Sequence, residues 1–293
     1  MSTSEAASFL ATVVIPAHGR TELVERAVKS VIKCDLGDHV EIILVDDCSI
    51  PPLTVKSLRP QDRIIRLSSR SGAAVGRNVG MTKAQGEFIY LLDSDDMFLQ
   101  RDFQSDHKHL DRTSLHYCSV GSEREPRFPM TLSRDDLIAS LLFRYPHICQ
   151  TSSLVFHRDL RLRFDESLPK HQDWDFVLSA ALSGVSLINC PGVSLFDRSD
   201  KSSLSRTYDP SRSHPWLIKI AEDTRVSEIE KLMIHFHVMG KYPMEIRWRR
   251  FTSLAVRFLV QHKTSLGFVM RSVAHRLIQT FGAGRTSRKD GLA

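Results

Sequence analysis

A chain of 293 residues with a formal net charge of +6, 42% hydrophobic and 25% charged residues has the size and composition of a folded globular protein, which excludes a disordered or fibrous chain. Its five cysteines are odd in number and form no CxxC pair, so reduced thiols are expected rather than a zinc site or a disulfide scaffold. Residues 1–5 do not open a secretory signal and no run of about 18 apolar residues occurs, so the expected location is cytoplasmic, with no membrane-spanning helix.

Residues 11–15, Ala-Thr-Val-Val-Ile, form an apolar run stopped by Pro16, the pattern of a strand buried on both faces of a parallel sheet. Thr21 is the expected N-cap of a helix with Leu23, Val24, Ala27, Val28 and Val31 on one face. Residues 40–45 are a second buried strand ending at Asp46-Asp47, and 63–67 a short third. A glycine-rich helix is predicted over 72–86, and residues 88–92 form a strand that runs straight into Asp93. This β-α-β-α-β order implies an α/β fold with a mostly parallel, doubly wound, Rossmann-like sheet. Further helices are predicted at 135–143, 174–182, 216–239, 245–262 and 267–281, and strands at 153–156 and 185–187. The expected organisation is a catalytic domain over 1–210 and a basic helical C-terminal extension over 211–293.

In such sheets ligands bind beyond the carboxyl ends of the strands, where Pro16, Asp46, Asp47, Asp93 and Asp95 fall. Carboxylates crowded there repel one another, and a divalent cation relieves that repulsion. Asp93, Asp95 and Asp96 offer hard oxygen ligands for Mg2+ or Mn2+, ions that share their shell with substrate phosphates. Arg77-Asn78 stand at the predicted start of a helix, whose dipole also favours phosphate. Each feature has a structural alternative: an acidic turn capping a helix, Asp47 capping a turn before Ser49, Arg77 on the surface.

The stretches Thr12-Val-Val-Ile-Pro16, Ile43-Leu-Val-Asp-Asp-Cys-Ser49, Gly76-Arg-Asn-Val-Gly80, the run from Ala84 to Asp96 ending Leu-Leu-Asp-Ser-Asp-Asp, and Phe164-Asp-Glu-Ser-Leu168 leading into Gln172-Asp-Trp-Asp-Phe176 stand in one order. In that order the chain resembles the inverting GT-A glycosyltransferases of bacterial polysaccharide and lipid-linked oligosaccharide synthesis, over roughly residues 10–205. The resemblance implies a GT-A fold and a nucleotide-sugar donor, a UDP-sugar above all. It implies a donor site at Pro16, Asp46 or Asp47, Arg77, Asn78, Asp93, Ser94 and Asp95, a metal at Asp93 and Asp95, and Asp173 as general base. The chain departs from the family pattern at Gln172, where Glu is common, and at Cys48, where Gly is usual. Lys201 or Arg198 would touch the diphosphate. Without the resemblance, Asp173 reads as the N-cap of the helix at Trp174.

The segment 247–260 sets Phe251, Leu254, Ala255 and Phe258 at helical spacing among Arg247, Arg250 and Arg257. Such a helix suits an anionic membrane surface, peripheral at the inner face of the cell membrane, or packing on the catalytic domain. Nucleic acid is not expected, because no recognised binding motif accompanies the charge. The acceptor implied by the resemblance is a saccharide or a lipid-linked saccharide. A sugar nucleotidyltransferase needs a longer Gly-, Arg- and Lys-rich loop than Ala17-His-Gly-Arg20 after the first strand, and a dinucleotide oxidoreductase needs Gly-x-Gly-x-x-Gly there. A non-catalytic nucleotide-sugar binding module is the remaining alternative.

Overall fold

The chain's most apolar stretches become its innermost strands. All seven residues of β1 (Ala11–Ala17) and of β2 (Val40–Asp46) are buried, because helices cover both faces of this part of the sheet. The computed structural model describes residues 9–35, 38–120, 131–132, 150–195 and 210–239. The remaining strands are β3 (Arg63–Arg66), β4 (Phe88–Leu91), β5 (Met97–Gln100), β6 (Ser114–Val120), β7 (Thr131–Leu132), β8 (Leu154–His157) and β9 (Ser186–Leu195). They join in one sheet of nine strands, ordered β3-β2-β1-β4-β8-β6-β9-β5, with β7 paired to β9.

The first four strands of that order are mutually parallel. Beyond β4 the sheet is mixed: β8 runs antiparallel to β4 and β6, β9 parallel to β6, and β5 and β7 antiparallel to β9. One face of the parallel half is covered by α1 (Thr21–Cys34), whose Val24, Ala27, Val28 and Val31 share a core with Val13, Ile15, Ile42 and Leu44. Each such side chain contributes about 1.5–3 kcal/mol by leaving water. The opposite face takes α2 (Ala73–Lys83), and it comes so close that a Cβ at Gly80 would stand 2.3 Å from Val14 Cγ1. Gly86, leading into β4, is as tight and meets backbone, with a Cβ there 2.3 Å from the Ala11 carbonyl carbon.

Several expected boundaries shift. Thr21 is the first helical residue rather than the cap; the cap position is Arg20, in the left-handed conformation at φ 52°. The glycine-rich helix stops at Lys83, because Ala84 turns extended. Helix α3 (Phe103–His109) lies where no helix was predicted, and α4 (Gln172–Leu182) begins before Trp174. The helix expected over 216–239 is two, α5 (Pro210–Glu222) and α6 (Glu228–Met239). Asp223 accepts from the Arg225 backbone at 2.9 Å, and Ser227 and Glu230 form a reciprocal capping box that starts α6 afresh. The predicted helices at 135–143, 245–262 and 267–281, the basic stretch 247–260, Arg198 and Lys201 lie outside the described residues.

Two compact units divide the chain at Arg225/Val226; α5 belongs to the first and α6 to the second. Among the described residues no helix is long and apolar enough to cross a membrane.

Candidate active site

Strands β2, β1 and β4 lie side by side, and the residues leaving their carboxyl ends form the site. At the end of β2, the Asp46 carboxylate accepts from Ser49 N at 2.9 Å and Leu53 N at 3.3 Å and pairs with Arg66. Burial pushes its pKa up, but these hydrogen bonds and Arg66 outweigh burial and hold it below the usual carboxylate range. At 1% exposure, Asp46 shapes the turn after β2; Asp47, 6% exposed, is the next residue along. The Asp47 carboxylate accepts from Ser71 N at 2.6 Å and Gly72 N at 2.9 Å, fixing the loop that starts α2, while its carbonyl meets His18 Nδ1 at 2.7 Å. Cys48 sits at φ 57°, which explains why a glycine suits that place. Pro16 is buried beneath α2, where Gly76 leaves room for it.

Asp93-Ser94-Asp95-Asp96 is a tight turn between β4 and β5, closed by Asp96 N donating to Asp93 O at 3.0 Å. Ser152 locks it from behind: its hydroxyl accepts from Asp93 N at 3.0 Å and donates to the Asp96 carboxylate. Asp96, 1% exposed, is therefore structural. Asp93 and Asp95 remain open, with side chains 29% and 26% exposed, and Ser94 between them is also part-exposed. Arg26 Nη2 donates to the Asp95 carbonyl at 2.7 Å, and Arg20 Nη1 stands 3.9 Å from the Asp95 carboxylate.

No group of three or more His, Cys, Asp or Glu residues able to cage a metal occurs among the described residues. Two part-exposed hard carboxylates on one turn fit a different arrangement, a Mg2+ or Mn2+ ion that completes its shell with phosphate and water.

Arg77 and Asn78 on α2 were expected at the diphosphate, and both bond to other residues of the protein. Arg77 donates to Asp93 Oδ1 at 2.6 Å and to Gln172 Oε1 at 3.2 Å, with its guanidinium 5.0 Å over the Phe164 ring. Asn78 donates to Phe164 O at 2.9 Å and Glu166 at 2.8 Å and accepts from Phe164 N at 2.9 Å, clamping the loop before α4. The two residues thus hold site pieces together from beneath.

Asp173, the second residue of α4, follows Gln172 into this cluster. Loss of water around its carboxyl pushes its pKa up to about 6; the Trp174 N–H and Arg77 oppose that rise and Asp93 adds to it. The expected N-cap alternative does not hold, because Asp173 lies inside the helix and the cap is His171 at φ 62°. Arg77 therefore joins Asp93 to Gln172, the residue before Asp173. Ser152, Arg20 and Arg26 are site residues that the sequence did not single out; Thr-Ser-Ser at 151–153 carries no periodic or motif signal.

Residues 12–169 match the family described as Glycosyl transferase family 2. Among curated relatives, the succinoglycan biosynthesis protein ExoO of Rhizobium meliloti is 31% identical over 195 residues, covering 59% of this chain and 56% of that protein. The putative teichuronic acid biosynthesis glycosyltransferase TuaG of Bacillus subtilis is 34% identical over 92 residues, covering 30% of this chain and 36% of that protein. The matches thus span about half or less of those relatives' length. Among solved structures, the mannosyltransferase PcManGT of Pyrobaculum calidifontis in complex with GDP-Man and Mn2+ aligns at TM-score 0.59 and 17% identity, over 94% of this chain and 84% of that one. Residues 1–349 of S. aureus TarS in complex with UDP-GlcNAc align at TM-score 0.56 and 16% identity, over 83% of this chain and 79% of that one.

Proposed function

The chain belongs to Glycosyl transferase family 2, and on that premise we propose that it is a metal-dependent inverting glycosyltransferase of polysaccharide biosynthesis. In this reading a nucleotide-diphosphate sugar, a UDP-sugar first, is the donor, and a saccharide or lipid-linked saccharide is the acceptor. The relatives' names support the pathway class, and complexes of fold neighbours with UDP-GlcNAc and with GDP-Man and Mn2+ support the donor class and the metal.

The observation that carries the proposal is Asp173. A carboxyl pushed up to about 6 accepts a proton near neutral pH more readily than an ordinary aspartate and is still ionised there. It would take the proton of the acceptor hydroxyl as that oxygen attacks the anomeric carbon from the face opposite the leaving nucleotide, inverting the configuration. Asp47, with the loop at Ser71-Gly72, would bound the nucleoside pocket. Asp93 and Asp95 would hold the diphosphate through a divalent ion, which supplies charge neutralisation to the departing phosphate. Arg77 keeps Asp93 oriented towards that task.

The test is transfer itself. A panel of UDP- and GDP-sugars with Mn2+ and mono- and oligosaccharide acceptors is incubated with the purified chain, products are identified by mass spectrometry, and the anomeric configuration is read by NMR. A product with inverted configuration is expected. Metal-dependent UDP binding with no turnover on any donor would make the chain a binding module, and a retained configuration would remove Asp173 as base.

A further inference from the structure

Helix α5 makes no contact with Asp173 among the bonds described, yet it grips the chain on both sides of it. On the N-terminal side, His171 adopts the left-handed conformation that turns the chain into α4, and its Nε2 meets Ser213 Oγ at 2.9 Å. The same imidazole lies 4.9 Å from the Trp216 ring and 4.9 Å from the Trp174 ring, and the two indoles are 5.7 Å apart, so α4 and α5 meet in one three-ring cluster at His171. On the C-terminal side, Lys219 Nζ pairs with Asp175 at 2.8 Å and with Asp165 at 2.7 Å. Arg212 also donates to Pro169 O at 2.9 Å.

These groups are costly to bury unless they serve one another. Asp175 is 3% exposed; burial pushes its carboxyl up, and Lys219 works against that rise. Removing the lysine leaves a buried carboxyl that either takes up a proton or draws the first turn of α4 towards water, and either way the tie to α5 is lost. Asp165 extends the same brace to the loop that Asn78 clamps from α2. The first turn of α4 is therefore tied to α2 through Arg77 and Gln172, and to α5 through His171 and Lys219.

We infer that α5 is a positioning element for the base: Lys219, with Ser213 and Trp216, holds Asp175 and His171 so that Asp173, between them, points at the acceptor hydroxyl. This rests on the glycosyltransferase reading and adds to it residues whose partners are Asp165, Asp175 and His171, not the proposed donor and metal residues. Reacting groups displaced by about 1 Å lose rate on the order of a hundredfold, so a shift too small to unfold the chain still shows in turnover.

The experiment compares wild type with Lys219→Met, Lys219→Arg and Ser213→Ala in the full chain, well below the melting temperature. Expected for Lys219→Met is a kcat lower by about 10-fold or more, with donor KM and calorimetric affinity for UDP in the presence of Mn2+ within about twofold of wild type. Lys219→Arg should restore most of the rate, because the cation returns. If Lys219→Met does not fold, Ser213→Ala carries the same test, with a smaller kcat loss and unchanged UDP affinity. An unchanged kcat overturns the inference, as does a parallel loss of kcat and UDP affinity, which would mark a merely structural helix. A wild type that binds UDP and transfers nothing overturns the glycosyltransferase reading itself, a different result from an active wild type with an indifferent Lys219→Met.

Discussion

Arg77 Nη2 donates to Asp93 Oδ1 at 2.6 Å, and the same guanidinium reaches Gln172 Oε1 at 3.2 Å, so one cation spans the proposed donor side and base side of the cleft. Its side chain is 7% exposed, so the charge is compensated by Asp93 and by the Phe164 ring rather than by water. Lysine keeps the charge but cannot reach two acceptors as a planar fork does. Arg77→Lys is expected to lower stability by about 1–3 kcal/mol in urea denaturation and to weaken UDP binding with Mn2+. Wild-type stability together with wild-type UDP affinity would show that the pair does not orient Asp93.

The raised pKa of Asp173 gives a pH dependence whose sign can be worked out. Transfer needs the carboxylate, so kcat should climb as pH rises through about 6. Stability should run the other way. The folded chain binds this proton more tightly than an unfolded chain, in which the group titrates near 3.8, so the proton's stabilising effect is present below about pH 4 and is lost as pH rises through about 6. Asp173→Asn removes the desolvated charge. It should abolish transfer, keep UDP binding, and raise the melting temperature at pH 8 relative to wild type while leaving little difference near pH 4. A variant no more stable at pH 8 than wild type would mean that Asp173 is not desolvated.

The sequence revealed what depends on neighbours in the chain and hid what depends on distant ones. Strands β1, β2 and β4 were readable because a strand buried on both faces must be apolar throughout, and Asp93 to Asp96 were conspicuous because they follow such a run at once. The lock on that turn is Ser152, 59 residues away from Asp93, and the partner of Arg77 is Gln172, 95 residues away. A lone serine and a lone glutamine carry no pattern, so the partners of Arg77 and Asn78 within the protein were not foreseen. The break between α5 and α6 was legible in principle, since Ser227-Glu-Ile-Glu230 is a capping box, but the apolar periodicity running across it hid the stop.

Gly86 tests the close approach of chain segments at the start of β4. A Cβ there would lie 2.3 Å from the Ala11 carbonyl carbon and 2.4 Å from Thr12 N, both backbone atoms of the central strand that cannot swing aside. Gly86 N also donates to Thr12 Oγ1 at 2.9 Å, so moving the glycine outward breaks that bond. Gly86→Ala is expected to cost about 3 kcal/mol or more, seen as a fall in the urea midpoint or in soluble yield. A midpoint unchanged from wild type would mean that β1 and the start of β4 are less closely set than described.

Asp95 separates metal holding from scaffold. Arg26 donates to the Asp95 backbone carbonyl, a bond that Asp95→Asn leaves in place. The carboxylate is part-exposed beside Arg20, and removing its charge should change folding stability by no more than about 1 kcal/mol. Its loss should be felt by a divalent ion that depends on the few hard oxygens this turn offers. Wild type is expected to gain thermal stability from UDP with Mn2+ over UDP alone, and Asp95→Asn to lose most of that increment while its ligand-free melting temperature stays near wild type. Because the increment follows RT ln(1 + [L]/Kd), a tenfold weaker site lowers it by about 1.4 kcal/mol at saturating ligand. An undiminished Mn2+ increment in Asp95→Asn would move the metal off this turn, and with it the role assigned to Asp93.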